Sequence, residues 1–291
     1  MGKKPSAVEQ DHTRFEFGKN WSRFLESVDD VRVWEAEQSL KDMLGVKTLQ
    51  DKRFLDIGSG SGLFSLAARR LGARVHSFDY DPQSVACAAE LKRRYFANDG
   101  KWTIARGSAL DEEYMLSLGQ FDIVYSWGVL HHTGAMWEAL ENACLPVAPG
   151  GQLYIAIYND QGWRTVYWTK IKKLYHQVPR MGRFALVSMI FLSWWTPKII
   201  LDSFAGRPLR SWRNYVKNRG MSPWWDAVDW VGGYPFEAAK PEEIFHFYRD
   251  RGFTMLNLKT CAGKLGNNHF VFEKRTRSTA DGSNVASAGR R

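Results

Sequence analysis

Cysteine is scarce: Cys87, Cys144 and Cys261 are the three in 291 residues, far apart and with no CxxC pair. That spacing argues against a disulfide framework and against a structural zinc site, so no metal is expected. A reducing compartment follows, and the first residues, MGKKPSAVEQDHTR, lack the apolar stretch of a secretory signal, so the cytoplasm is the expected location. Long apolar runs are missing too. The nearest approach is FALVSMIFLSWWTPKIIL (184–201), interrupted by Pro197 and Lys198, with an unbroken part of 12 residues from Phe184 to Trp195. A spanning helix needs roughly 20 apolar residues. A buried or interfacial helix is expected instead, which leaves peripheral membrane contact through 184–195 open.

Aromatic residues make up 14% of the chain and hydrophobic residues 44%, which excludes a disordered protein. The net charge of +9 is not spread evenly. Between Tyr158 and Lys240 stand 13 Lys or Arg against five acids, so this segment carries +8 and also eight of the 13 tryptophans. Two readings compete for it: a solvated helical face, or a surface for an anionic partner such as a small-molecule carboxylate or phosphate, a lipid head group or nucleic acid.

Periodicity divides the rest. RFLDIG (53–58), RVHSFDY (74–80), WTIARG (102–107), FDIVYSWG (121–128) and QLYIAIY (152–158) predict strands, alternating with helical stretches such as 62–72 and 82–99. A helix over 241–252 precedes two further strands, TMLNLK and HFVFEK, joined by a turn. The predicted fold is α/β, a doubly wound and mostly parallel seven-stranded sheet. It ends in an antiparallel hairpin and carries an N-terminal helical lid and a helical insertion after the fifth strand. The segments are a disordered 1–12, a lid over 13–50, a core over 51–157, a basic Trp-rich cap over 158–240, the end of the sheet over 241–274 and a disordered tail over 275–291. Cap helices are predicted around 164–177, 184–195 and 208–219. SPWWDAVDWVGGYPFE, with its glycines and prolines, reads as neither helix nor strand.

The loop between the first strand and the first core helix runs Asp56-Ile57-Gly58-Ser59-Gly60-Ser61-Gly62. A dinucleotide fingerprint would read GxGxxG; here the spacing is GxGxG with an acid before it. That suits a ligand with no pyrophosphate to cradle and an ammonium group for Asp56 to meet. Asp79 and Tyr80 close the second strand, about where an acid accepts from ribose hydroxyls. Asp81 reads as the N-cap of the helix that Pro82 opens.

Taken together, FLDIGSGSG, SFDYDP, GSALD (107–111), FDIVYSWGVLHHT (121–133) and VAPGGQLYIAIY (147–158) resemble, in order and spacing, the five motifs of class I S-adenosylmethionine-dependent methyltransferases, especially quinone-biosynthesis and natural-product enzymes. The resemblance implies S-adenosylmethionine as cofactor and S-adenosylhomocysteine as product. It makes Asp56, Gly58, Ser59, Gly60, Asp79 and Tyr80 cofactor residues, sets Ser108 and Ala109 beside the adenine, and puts Trp127 beside the sulfonium. Many relatives have Asp where Ser108 stands. It also implies that helices before the first strand close the pocket, with Phe17, Asn20 and Trp21 as contacts.

Methyl transfer from a sulfonium is a displacement, so alignment and exclusion of water are the main tasks, and a base assists when the nucleophile carries a proton. His131 and His132, after the fourth strand, are the base candidates. Tyr158 and Asn159, after the fifth, and Asp229 and Trp230, in the cap, are the acceptor candidates. The expected function is methyl transfer to an O or N atom of a small, anionic or aromatic acceptor. The alternatives are a membrane-docking lipid or quinone methyltransferase, an RNA or protein methyltransferase, with nucleic acid the less favoured partner, and a cofactor-binding module without turnover. Oligomeric state is not encoded in these patterns.

Overall fold

The computed structural model describes residues 28–219 and 222–276. The stretch 1–12, the candidates Phe17, Asn20 and Trp21, and the tail from 277 lie outside the described residues. The elements in order are α1 (Asp30–Leu44), β1 (Arg53–Ile57), α2 (Leu63–Arg70), β2 (Arg74–Asp79), α3 (Pro82–Phe96), β3 (Trp102–Arg106), α4 (Glu112–Ser117) and β4 (Phe121–Trp127). A short 3₁₀ turn (Leu130–His132) leads to α5 (Met136–Asn142) and β5 (Val147–Tyr158). The cap follows as α6 (Trp163–Gln177), α7 (Arg180–Phe204), α8 (Arg210–Arg219) and α9 (Pro223–Gly232). The chain closes with α10 (Pro241–Arg249), β6 (Phe253–Lys259) and β7 (Asn267–Lys274).

The strands form one seven-stranded sheet in the order β3-β2-β1-β4-β5-β7-β6. The first five are parallel, and β7 runs antiparallel to both neighbours, with Ile155 opposite Phe270. Strand order reverses between β1 and β4, and an open α/β sheet binds ligands at the carboxyl ends of the strands flanking such a reversal. The loops that follow these two strands are the glycine loop and the LHH segment.

Alternation along each strand divides the core. Leu55, Ile57, Val124, Ile155 and Phe270 face α5 and α10. Phe54, Val75, Ile123, Tyr125 and Val271 face α1, α2 and α3. The stripe Val33, Ala36, Leu40 and Leu44 buries α1 on that second face, and Arg70 ties it down through Asp30 and Glu37. The described part of the expected lid, Asp30–Leu44, is therefore a sheet-covering helix, because its apolar period matches the face beside α2.

The cap has its own core of Trp168, Leu186, Val187, Ile190, Ala227, Val231 and Phe236. Two sequence expectations need correction here. The stretch 223–232 is an α-helix, with Pro223 in its first turn and Ala227 and Val231 facing inward. Proline at that position is pre-organised for a helix, and the glycines fall at its far end. The helix expected at 184–195 runs from Arg180 to Phe204 and passes through Pro197. Proline costs one backbone bond there, but Trp195 packs on Trp212 at 5.1 Å and on Tyr215 at 5.3 Å, holding the stretch around it. Arg275, assigned to the tail, is still bonded to Gly252 and Thr254.

Candidate functional site

The glycine loop is held by the sheet itself. The amides of Gly58 and Ser59 both donate to the Phe78 carbonyl, at 2.9 and 3.0 Å. Gly58 has φ +73°, and a Cβ there would lie 2.3 Å from a Val129 methyl, so the turn crosses the segment after β4 too closely for any side chain. Asp79, at the end of β2, accepts from the Gly60 amide at 2.9 Å and from the Asp81 amide at 2.9 Å. The Ser59 hydroxyl is buried with no hydrogen-bond partner among the described residues. An acceptor-lined loop with an idle buried hydroxyl fits a polar ligand, and the donor and acceptor set suits an adenosyl group with an amino-acid tail.

Asp56, expected to meet the ligand's ammonium group, lies at the end of β1 beside this loop. Its carboxyl is buried, the residue being 2% exposed. Ser65, in the first turn of α2, donates to it and is itself 3.0 Å from Ser77. Burial pushes the carboxyl up to about 7, against the opposing bond from Ser65, and the Asp79 charge adds to the rise. Asp56 thus ties the end of β1 to the first turn of α2, directly behind the glycine loop.

Farther along the same edge, Arg106 donates to the Tyr80 carbonyl at 3.2 Å and stacks over the Tyr80 ring. The Ser108 hydroxyl accepts from the Leu110 amide at 3.2 Å, and Asn142 donates to the Ala109 carbonyl at 2.9 Å. These two residues stand at the carboxyl end of β3, on the edge where the adenine is expected. Trp127 is 41% exposed at the end of β4. Its ring meets His269 of β7 edge-on at 5.9 Å, and His269 is fixed by the Tyr154 hydroxyl at 2.9 Å.

His131 and His132 face opposite situations. His132 Nδ1 is 2.6 Å from the Pro235 carbonyl. A carbonyl can only accept, so Nδ1 carries the proton and the lone pair of the neutral ring is on Nε2, the arrangement a base requires. His131 is completely buried, between His132 at 4.5 Å and Tyr158 at 4.0 Å, and neither of its ring nitrogens has a hydrogen-bond partner among the described residues. Burial lowers its basicity well below the ordinary histidine range, with the charges of His132 and Lys172 acting the same way.

The cap is stitched to this corner. The Glu237 amide donates to the His131 carbonyl, and the Glu237 carboxylate accepts from the Met136 amide. Ala239 bonds Tyr158, and Asp160 bonds Ala239. Tyr158 then meets Trp230 of α9 at 5.6 Å and Phe236 at 5.3 Å. Asn159, by contrast, is occupied structurally, accepting from Asn268 at 3.0 Å in the β5–β7 end. Asp160 caps its own turn through the Gly162 amide.

Sequence reasoning passed over Lys172, counted only among the basic residues. It is 1% exposed, donates to the Trp230 carbonyl, and stands 4.5 Å over the Trp230 ring and 4.8 Å over Phe236. Burial pulls its ammonium down to about 7, while the Asp229 charge pulls the other way. The available signal was its helical position between Trp168 and Tyr175, on the aromatic side of α6. His269 was missed because only strand pairing brings it to Trp127. Among the described residues no cluster of three His, Cys, Asp or Glu could hold a metal.

Residues 55–153 match a family described as a methyltransferase domain. A ubiquinone biosynthesis O-methyltransferase of Parvibaculum lavamentivorans is 31% identical over 119 residues, 40% of this chain and 45% of that protein. The protein of the same name from Methylocella silvestris is 25% identical over 77% of this chain and 83% of its own. The chain thus spans less than half the length of the first of these relatives. Among solved structures, magnesium protoporphyrin IX methyltransferase from Synechocystis PCC 6803 with bound SAM aligns with a TM-score of 0.54, 12% identity and coverage of 95% of this chain and 100% of that one. At that identity the likeness is one of fold.

Proposed function

We propose that the protein, whose residues 55–153 match a methyltransferase domain, transfers a methyl group from S-adenosylmethionine to an O or N atom of a small acceptor. The acceptor is held between the ends of β4 and β5 and the cap, and the reaction takes place in the cytoplasm. The carrying observation is the convergence, at the topological switch point, of a braced glycine loop with a His–His–Tyr cluster roofed by Trp230 and Phe236. Asp79, Gly60 and Trp127, three of the expected cofactor residues, lie at the carboxyl ends of β2, β1 and β4 along one edge of the sheet.

The cofactor supplies a methyl group already activated on a sulfonium. What remains is alignment, exclusion of water and removal of a proton. The exposed Trp127 ring, held edge-on by His269, offers a surface for orientation. His132, with Nδ1 bonded to Pro235, presents Nε2 to take the acceptor's proton. Tyr158, Trp230 and Phe236 favour a flat or apolar acceptor body, and the ammonium of Lys172 packed against Trp230 and Phe236 favours an acidic group on it.

The test is incubation with methyl-labelled S-adenosylmethionine and a cell extract separated into soluble metabolites, lipids, nucleic acid and protein, with Asp79→Ala as control. Label in the soluble fraction that disappears in the variant supports the reading. Label confined to nucleic acid or protein overturns the small acceptor, and no labelled product in any fraction overturns turnover itself.

A further inference from the structure

The cap leaves one face that its own packing does not use. Helix α7 is 25 residues long and, by length and composition, apolar enough to cross a membrane, yet only 22% of its apolar window is buried. Its inner side is well packed: Leu186, Val187 and Ile190 join the cap core, and Phe191 lies 5.4 Å from Trp224 of α9. Its outer side is not. Met181, Phe184, Met189 and Leu192 are between 59 and 84% exposed, and beyond Pro197 Leu201 and Phe204 are exposed as well. Single exposed apolar residues are ordinary, but four large ones on one side of the same helix form a patch of the kind that marks an interaction site.

The charges around the patch indicate its occupant. Arg180 precedes the stripe, and Lys198, Arg207, Arg210 and Arg213 follow or flank its far end, all exposed. Asp202, the acid on this helix, is engaged by the amide and hydroxyl of Ser211. An apolar stripe bordered by cations matches the interface of a bilayer bearing anionic lipids, with side chains among the acyl chains and guanidinium groups at the phosphates. A second copy of the chain would bring the same positive charge to meet it.

Geometry also determines how the helix would lie. A crossing helix would have to carry its neighbours into hydrocarbon, where polar groups are costly. The inner flank of α7 is packed on α6 and α9, which carry Lys172, Asp226 and Asp229, and the segment after α9 is bonded to the loop at 131–136. The helix therefore lies in the plane of the interface. We propose that α7, with the basic residues at its ends, docks the protein peripherally on anionic membrane surfaces.

Sedimentation with phosphatidylcholine vesicles, with and without phosphatidylglycerol, tests this independently of turnover. The expected result is binding that needs the anionic lipid and weakens with salt. Met189→Asp with Leu192→Asp should weaken binding by roughly tenfold or more for each anchoring side chain, and Arg210→Glu with Arg213→Glu should remove the preference for phosphatidylglycerol. Calorimetric binding of S-adenosylmethionine, unchanged in both variants, shows that the fold is intact and keeps this test separate from the methyltransferase reading. Absence of vesicle binding at low salt, or equal binding by parent and variants, overturns the proposal. So does a vesicle-free dimer that Met189→Asp with Leu192→Asp converts to monomer, since the face would then join two copies.

Discussion

The buried carboxyl of Asp56 gives the sharpest expectation, tested by Asp56→Asn. Asparagine keeps the size and an oxygen for Ser65 but cannot ionise. In the folded protein the carboxyl is pushed up from the usual 3.8 to about 7. Between those values the native state retains a proton that the unfolded chain has released, so native stability falls as pH rises, by about 1.4 kcal/mol per pH unit. The contribution is complete below the unfolded value, is lost on the way to about 7, and changes no further above it. The whole penalty is roughly 4 kcal/mol at most, of which about 2 kcal/mol remains to be lost above about pH 5.5. Thermal unfolding of ligand-free parent and variant at several pH values up to about pH 8 should show the asparagine protein gaining about 2 kcal/mol on the parent across that range, several degrees in Tm. Comparison at equal pH cancels every other titrating group. A stability difference that does not change with pH, or an asparagine variant less stable than the parent at the alkaline end, would refute the reasoning. If the cofactor's ammonium draws on this carboxylate, S-adenosylmethionine binding by the parent should also tighten as pH rises through neutrality, and the variant should lose that dependence.

Lys172 provides the mirror case. Its folded-state value of about 7 lies below the usual 10.5, so its stability contribution is lost as pH falls from about 10 toward 7; Lys172→Met should therefore be more stable than the parent near neutrality and lose that advantage in alkaline unfolding scans. Asp79→Ala removes the acceptor for the Gly60 and Asp81 amides, and calorimetry should show cofactor affinity falling by roughly 10-fold or more, as loss of a charged hydrogen bond does. His132→Ala should lower kcat by about 10²–10⁴ if Nε2 is the base, whereas His131→Phe, at a site with no hydrogen bonds to lose, should keep the fold and much of the rate; the reverse ranking in single-turnover assays would transfer the role to His131.

Most of the core was legible in the chain because its signals are local. Alternating apolar strands, the glycine spacing and the acids ending β1 and β2 are each fixed within a few residues, so the seven strands and the loop fall close to where periodicity puts them. Pro82 after Asp81 likewise announces α3, and the Asp81 side chain accepts from the Gln83 amide as an N-cap should. The cap was harder. Pro223 and the paired glycines read as loop punctuation, yet they bound the helix that carries Trp230 to Tyr158. Pro197 reads as a stop, but burial of Trp195 against α8 outweighs one lost backbone bond.

What the sequence determined by itself was therefore the class of fold, the glycine loop and the basic, aromatic character of the cap. Tertiary structure alone decided that the Asp56 carboxyl is buried against Ser65, that Pro235 orients His132 while His131 is sealed in, that Lys172 is buried over Trp230, and that one side of α7 is left facing outward. The physical reason is that periodicity specifies which face of an element is apolar, whereas burial, pKa and hydrogen-bond partnership depend on residues brought together from far along the chain, here by about a hundred positions between His132 and Pro235.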